Sequence, residues 1–242
     1  MEKSKICVIL SYRASNDLVV FLKNLGINVI KSKAINVDKN IDDHPDLQVF
    51  KVNDRKIIVA PSTYDYYKNR LEDYKIEVLS GEMEPLKKYP NEVIYNISKV
   101  SNYYFGKKGF IDPVIKREME DQFYEEINVK QGYARCSSLE ISENTLITSD
   151  NGIYYTFKKL GVDVHLFTQK GIILRGYDEA FLGGTCGMIG YDKIVFTGNI
   201  EKYPDYEKLS NILINNNIDM IYPRSLELKD LGGLIFLGGD SE

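Results

Sequence analysis

The sequence has 242 residues, of which 43% are hydrophobic and 27% are charged, and its formal net charge is −4. This length fits one globular domain or two small ones, and the composition excludes collagen-like, disulfide-dense and disordered chains. No apolar run approaches the roughly 20 residues that cross a bilayer, and the first one, 6–10, is too short for a signal peptide, so we expect a cytoplasmic protein without a membrane partner.

Charge and cysteine content narrow the expected partners. Lysines and acidic residues are mixed along the whole chain, so the sequence does not predict the basic surface of a nucleic-acid-binding protein. The three cysteines, Cys7, Cys136 and Cys186, are odd in number and far apart. This spacing favours reduced thiols over a disulfide framework or a zinc knuckle.

Five helices are predicted from capping residues followed by apolar residues at helical spacing. Ser15 opens the first, which Gly26 ends, and Asp112 followed by Pro113 opens the third. In chain order the predicted helices cover about 16–25, 62–74, 113–126, 151–160 and 205–214.

Short apolar runs flank the helices and predict strands. Those before the helices are 7–10, 57–60, 103–105, 146–148 and 194–197, and those after them are 27–30, 76–79, 162–166 and 218–221. Measured from Val8 to Ile58, Tyr103, Leu146 and Val195, the steps are 50, 45, 43 and 49 residues. One more strand-like stretch precedes four of these marks, at 47–52, 92–97, 137–141 and 186–190.

The repeating unit is therefore strand–strand–helix–strand, present about five times, with approximate boundaries 1–40, 41–84, 85–132, 133–180 and 181–230. The first unit lacks its leading strand, which the segment 231–242 can supply. Because no single unit can bury its own apolar faces, we predict one α/β domain: a five-bladed α/β-propeller with pseudo-fivefold symmetry, closed by the C-terminal strand. The competing interpretation is a doubly wound sheet, but that fold has one strand per helix and shorter steps.

Two motifs accompany this architecture. His44-Pro45-Asp46 places a histidine two residues before a carboxylate, and Gly232-Gly233 opens an apolar segment at the chain end. Together with the ring of five units, they resemble the pentein superfamily, which contains arginine and agmatine deiminases, dimethylarginine hydrolases, amidinotransferases and the non-enzymatic ribosome anti-association factors.

The resemblance implies functional roles for His44 and Asp46, but the nucleophile of the active members is absent from its expected position. In the deiminases the motif histidine is the general acid/base, and the carboxylate holds the guanidinium group, which suggests these roles for His44 and Asp46. Active members carry a nucleophilic cysteine four residues after the second glycine, where this chain has Leu237. The histidine motif also lies in the second unit, whereas the deiminases carry it in a later one.

Three polar residues close together in the sequence are candidates for a ligand-binding site. His44, Asp46 and Gln48 alternate, so an extended backbone would point all three to one face, where they could bind a polar or cationic ligand and move protons. The alternative interpretation is a charged turn leading into an edge strand.

Two cysteines are candidate nucleophiles. Cys186 and Cys136 lie at nearly equivalent positions, at the start of the leading strand of their units, and in a ring such strand ends converge near the axis. A nucleophilic thiol needs a base or a positive charge beside it, and His44 or Arg135 could serve. We rank Cys186 before Cys136, while Cys7 lies in an apolar strand and is assigned to the core.

Further substrate-binding candidates are Arg135 and two carboxylates, Asp150 and Asp178, because a carboxylate pairs with both prongs of a guanidinium. Asp150 has a competing role as a helix cap. Two functions remain open: a cysteine-dependent hydrolase or amidinotransferase acting on a small guanidino or amidine compound, or a non-catalytic binding module like the anti-association factors. Neither needs a cofactor, and no phosphate-loop, dinucleotide or zinc-protease motif is present.

Overall fold

In the computed structural model, which describes residues 5–239, the strands form five sheets of three strands each. Every sheet has the same internal order: an antiparallel pair shares its second strand with a parallel pair. The sheets are β15 (Ile235–Gly238), β1 (Ile6–Leu10) and β2 (Asn28–Lys31); β3 (Val49–Asn53), β4 (Lys56–Val59) and β5 (Glu77–Ser80); β6 (Ser98–Val100), β7 (Tyr103–Lys107) and β8 (Glu125–Val129); β9 (Ser138–Ser142), β10 (Thr145–Thr148) and β11 (Asp163–Leu166); and β12 (Cys186–Ile189), β13 (Lys193–Phe196) and β14 (Asp219–Ile221).

A helix connects the two strands of every parallel pair, as the period of the sequence predicts. These helices are α1 (Asn16–Asn24), α2 (Tyr64–Leu71), α3 (Pro113–Asp121), α5 (Asn151–Lys159) and α6 (Tyr206–Asn215). The side chains of Ser15, Asp112 and Asp150 accept hydrogen bonds from the first turns of α1, α3 and α5. These bonds satisfy amide groups that have no partner within a helix, and so they fix where the helices begin. A short additional helix, α4 (Ala134–Ser137), lies between β8 and β9.

The predicted end of one helix and one predicted strand are wrong. The third helix ends at Asp121 instead of near 126, because the chain reverses at Phe123, where φ is +64°, and enters β8 at Glu125. The predicted strand over 92–97 is also wrong, because the strand of that unit is β6. Tight turns occupy the stretch instead, with the Val93 amide bonded to the carbonyl of Pro90.

The core is divided among five main apolar clusters, and each joins two units that are neighbours in the chain or at its ends. Phe50 of β3, for example, packs in one cluster with Ile97 and Tyr104 of the following unit. Another cluster joins β1 to the last unit, where Val8 packs with Val195. In these five clusters, neighbouring units thus bury their apolar faces against each other, as the repeat pattern requires.

The C-terminal strand pairs with the N-terminal one. Strand β15 runs antiparallel to β1, with Leu237 opposite Cys7, and both side chains are buried in one apolar cluster. This confirms that the chain end supplies the leading strand of the first unit, although 240–242 of the predicted closing segment lie outside the described residues. Over the described residues, every helix is too short or too polar to cross a bilayer.

Candidate functional site

The site begins at the turn that carries His44 and Asp46. Pro45–Leu47 forms a single 3-10 turn that follows His44, so the extended backbone predicted for this stretch is wrong. Both side chains are nevertheless buried, at 4% and 2% exposure. A rigid proline-containing turn therefore brings the histidine and the carboxylate into the interior by a different route from the alternation of a strand.

Gly232 packs tightly against the turn that follows His44. The carbonyl of Gly232 accepts a hydrogen bond from the amide of Asp46 at 3.3 Å. Its φ is +72°, and a Cβ at this position would lie 2.5 Å from the Cβ of His44. Only glycine combines this backbone conformation with this close approach. Gly232, the first residue of the glycine pair, thus positions His44.

Cys136, carried by α4, meets the same turn from another unit. Its thiol donates a hydrogen bond to Oδ2 of Asp46 at a distance of 2.7 Å. Asn96 holds the sulfur from the other side, because its Nδ2 donates to Sγ at 3.2 Å. The Oδ1 atom of Asn96 also accepts from the backbone amides of Arg135 and Cys136, at 2.8 and 3.2 Å. One amide side chain therefore fixes both the helix and its thiol.

The electrostatics of this pair favour a neutral thiol beside a carboxylate that is ready to accept a proton. Burial is the main cause that raises the pKa of Asp46 to about 6, and nearby His44 opposes the rise. Burial, and then the charges of Asp46 and Asp230, raise the pKa of the Cys136 thiol well above its ordinary value. The second carboxylate oxygen of Asp46, Oδ1, is buried without a hydrogen-bond partner among the described residues. A buried unpaired carboxylate oxygen is costly, so this atom is a strong acceptor for a cationic donor.

Asp230 completes the cluster. It is 3% exposed, and it accepts hydrogen bonds from the amides of Phe181, at 3.0 Å, and Gly232, at 3.1 Å. A Cβ on Gly184 would lie 2.0 Å from its Oδ1, so the first glycine pair makes room for this carboxylate. Ligand atoms of His44, Cys136 and Asp230 all lie within 4.8 Å of one another.

This trio also has the chemistry of a metal site. Imidazole nitrogen, thiolate sulfur and carboxylate oxygen are the three ligand types that Zn²⁺ takes in proteins. The residues fit such an ion by type and proximity, but the same cluster of buried acidic groups suits an organic cation equally well. Among the described residues this is the cluster in which a metal could be held.

Arg135 and Asp46 line a cavity of about 730 Å³, together with residues of β3, β6, β9, β12 and β15. The guanidinium of Arg135 donates to the carbonyl oxygens of Gly183, at 3.0 Å, and Cys186, at 3.5 Å. It is therefore held by neutral acceptors, and its charge stays next to the buried acidic groups. The leading strand of each sheet faces this common cavity.

Four predicted site residues lie away from the cluster or serve another role in it. Cys186 is fully buried in an apolar cluster, and its thiol donates to the carbonyl oxygen of Leu182. Burial raises the pKa of the Cys186 thiol to about 12. Gln48 is bonded through its amide to backbone carbonyls and to the hydroxyl of Tyr67. Asp150 caps α5, and Asp178 is exposed.

Three polar residues of this region, Asn96, Asp230 and Glu92, were missed in the sequence. Asp230 stands two residues before Gly232-Gly233, and an acidic group beside a glycine pair was the available signal. Asn96 and Glu92 lie within 92–97, where the alternation of the sequence predicts a strand and the structure has turns. Glu92 is 6% exposed, and its Oε1 accepts a hydrogen bond from the hydroxyl of Tyr133 at 2.9 Å.

Solved structures with a similar fold include a DDAH, an amidinotransferase and an agmatine deiminase. DDAH from Pseudomonas aeruginosa in complex with citrulline is 10% identical, with a TM-score of 0.57 over 98% of this chain and 100% of that one. The amidinotransferase SxtG from Microseira wollei is 11% identical, with a TM-score of 0.54 over 92% and 90%. Agmatine deiminase from C. jejuni is 11% identical, with a TM-score of 0.53 over 92% and 88%.

The chain therefore has the fold of the pentein superfamily, as its repeats and motifs indicated. A search of the curated proteins found no match. The chain belongs to the family DUF6873, described as a family of unknown function, whose model matches residues 9–235.

Proposed function

We propose that the protein is a cysteine-dependent hydrolase or amidinotransferase that acts on a small guanidino or amidine compound, with Cys136 as the nucleophile. The observation that carries this proposal is the thiol of Cys136 bonded to buried Asp46, whose other oxygen has no partner. His44 and Asp230 stand beside the sulfur. A nucleophile, a proton carrier and carboxylates for a cation are thus present within one cluster.

The roles follow from the charges. An amidinium group pairs with Oδ1 of Asp46 and with Asp230, which places its planar carbon beside the sulfur. The positive charge of the bound substrate stabilises the thiolate, so the pKa of the thiol falls when substrate binds. The thiol proton then passes to His44. The high pKa of Cys136 in the free protein is consistent with a thiol that is activated only by a cationic ligand.

The covalent steps balance with these groups. The sulfur attacks the amidinium carbon, and the C–S bond forms while the C=N electron pair moves to nitrogen. The leaving amine takes a proton from protonated His44 as its C–N bond breaks. Water, in a hydrolase, or a second amine, in a transferase, then attacks the same carbon and loses a proton to His44. The C–S bond breaks, and the departing sulfur takes this proton from His44, which restores the thiol. Structural neighbours named as a deiminase and an amidinotransferase support both outcomes.

We also infer that the five sheets form one domain as a closed ring with pseudo-fivefold symmetry. The pairing of β15 with β1 and the apolar cluster that joins the first and last units support this arrangement. In such a ring the cavity that reaches Asp46 and Arg135 follows the axis. A small cationic compound is the partner that this centre suits.

A second candidate, a non-catalytic binding module, is favoured by the enclosure of the centre. His44, Asp46 and Cys136 are each less than 5% exposed, at 4%, 2% and 3%. In that case the polar cluster would stabilise the fold, and function would lie on an outer face.

A covalent probe tests the proposal. 2-Chloroacetamidine carries the positive charge of an amidine, whereas 2-chloroacetamide is neutral and of almost the same shape. We expect the amidine to label Cys136 at least about tenfold faster than the amide does, because only the cation lowers the pKa of the thiol. Cys136→Ala should lose the label and Cys186→Ala should keep it. Peptide mass spectrometry locates the adduct.

The outcomes separate the two functions. Selective labelling of Cys136 by the amidine, slowed in His44→Ala, supports the enzyme and justifies a screen of guanidino compounds for release of ammonia, amine or urea. Equal and slow reaction of both reagents at all three cysteines contradicts the covalent mechanism and supports the binding module.

A further inference from the structure

Glu92 is a second buried carboxylate with an unused oxygen. The side chain is 6% exposed, and Tyr133 satisfies Oε1, but Oε2 is buried without a hydrogen-bond partner among the described residues. Leaving such an atom unpaired costs free energy, and a bound donor would remove that cost. A charged donor does so best, since hydrogen bonds to an ionised group are the stronger ones.

A row of three aromatic rings, Tyr89, Tyr133 and Phe181, adjoins this carboxylate. The ring centroids of Tyr89 and Tyr133 are 5.9 Å apart, and those of Tyr133 and Phe181 are 6.2 Å apart, both pairs tilted by 34°. Tyr89 is 46% exposed, so the aromatic row reaches the surface at that end. Ring faces attract cations. The ammonium of Lys107 already lies 5.1 Å from the centroid of Tyr89.

The aromatic row is connected to the centre at Cys136. Tyr133 immediately precedes α4, the helix that carries the thiol, and the amide of Phe181 donates to Asp230. Burial and then the charges of Glu92 and Cys136 are among the causes that raise the pKa of the Tyr133 hydroxyl. Tyr133 therefore contacts the carboxylate directly and also leads into the helix that carries the sulfur.

The negative charge at this end of the centre is not confined to Glu92. The raised pKa of Tyr177 has burial as its main cause, followed by the charges of Asp38 and Glu92. Asp38 and Glu92 thus both place negative charge near the hydroxyl of Tyr177. An anionic substituent of a ligand would be repelled here, and a cationic one would be attracted.

We propose that Glu92 and the aromatic row bind a second positive charge, an ammonium group at the far end of a substrate whose amidine group lies at Cys136. This inference rests on the proposed function and narrows it. The substrate class is an amidine or guanidine with a distal amine, and compounds with a carboxylate at that end are disfavoured. Glu92 is a specificity residue in this arrangement and takes no part in the covalent steps.

Binding to the Cys136→Ala protein tests this inference without turnover. The probes are agmatine, which ends in an ammonium group, butylguanidine, which has the same chain without it, and arginine, which adds a carboxylate. Isothermal titration should show agmatine binding at least about tenfold more tightly than butylguanidine, as a charge-assisted hydrogen bond in a buried site predicts. Arginine should bind more weakly than agmatine.

Two substitutions assign the preference. Glu92→Gln preserves the shape and the acceptor for Tyr133, and it should remove most of the preference for agmatine over butylguanidine. The exposed residue Glu72 provides the control Glu72→Gln, which should keep the preference. Equal binding of the two guanidines, or an unchanged preference in Glu92→Gln, overturns this inference alone. Failure of both guanidines to bind overturns the proposed function and this inference with it.

Discussion

Replacing Asp46 by asparagine should change how the stability of the protein depends on pH. The side chain is 2% exposed, and burial raises its pKa from 3.8 to about 6. In the unfolded chain the same carboxyl group ionises at its ordinary pKa. Folding therefore opposes ionisation of Asp46, and Asp46→Asn removes this opposition while keeping the size of the side chain and an oxygen that can accept from Cys136.

The sign and size of this pH dependence follow from the linkage between protonation of Asp46 and folding. A carboxyl group whose pKa is raised on folding contributes its full stability below the unfolded pKa, and this contribution is lost as pH rises through the folded value. A shift from 3.8 to about 6 corresponds to about 3 kcal/mol at about 1.4 kcal/mol per pH unit. Between about pH 4 and about pH 7 the wild type should lose about 2 kcal/mol of unfolding free energy relative to Asp46→Asn.

Urea unfolding under reducing conditions, followed by circular dichroism at several pH values, measures the difference between the two proteins. Asp178→Asn is the matched control, because that carboxylate is exposed and its removal should leave a difference that does not vary with pH. A difference between wild type and Asp46→Asn that stays constant from acidic to neutral pH would refute the reasoning that burial controls this carboxyl group.

Three further predictions concern the same centre. Gly232→Ala should destabilise the fold by at least about 2 kcal/mol more than Gly26→Ala in urea unfolding, because both glycines have positive φ but only the first would clash with His44. Cys186→Ala should cost about 1 kcal/mol through lost packing and leave amidine labelling of Cys136 unchanged. Added Zn²⁺ should protect Cys136 from the amidine reagent, and His44→Ala should weaken this protection, if the three ligand atoms within 4.8 Å can close on an ion.

For each of these three predictions, one measurable outcome would contradict the physical reasoning behind it. Equal costs for the two glycine substitutions would mean that the turn at His44 adapts without strain. Loss of labelling in Cys186→Ala would show that the apolar cysteine supports the site. Labelling of Cys136 that is indifferent to Zn²⁺ would mean that the thiol, imidazole and carboxylate do not bind this ion together.

The repeat architecture was readable from the sequence because its signals are local. Capping residues such as Ser15, Asp112 and Asp150 mark where helices begin through contacts within three residues. Short apolar runs mark strands, and steps of 43 to 50 residues between them indicate five units. The pairing of the C-terminal strand with β1 also followed, because the first unit lacks a leading strand of its own and the chain end offers a spare one.

Only the tertiary structure distinguishes the two candidate thiols, Cys186 and Cys136. Cys186 and Cys136 occupy similar places in their repeats, and the order predicted from sequence put Cys186 first. The structure places Cys186 among apolar side chains and Cys136 against Asp46, which is 90 residues away in the chain. The two cysteines differ in which neighbouring unit packs against them. The local sequence around each cysteine does not predict these tertiary contacts.

The rest of the centre depends on irregular turns for the same reason. His44 and Asp46 come together through a 3-10 turn that packs against Gly232. Asn96 lies in turns, where the sequence predicts a strand. Asp230 fits against Gly184 because that residue has no side chain. Hydrophobic periodicity reports which residues are buried against their own sheet. It does not report which polar side chains of different units meet where those sheets converge, because that depends on the packing of all five units at once.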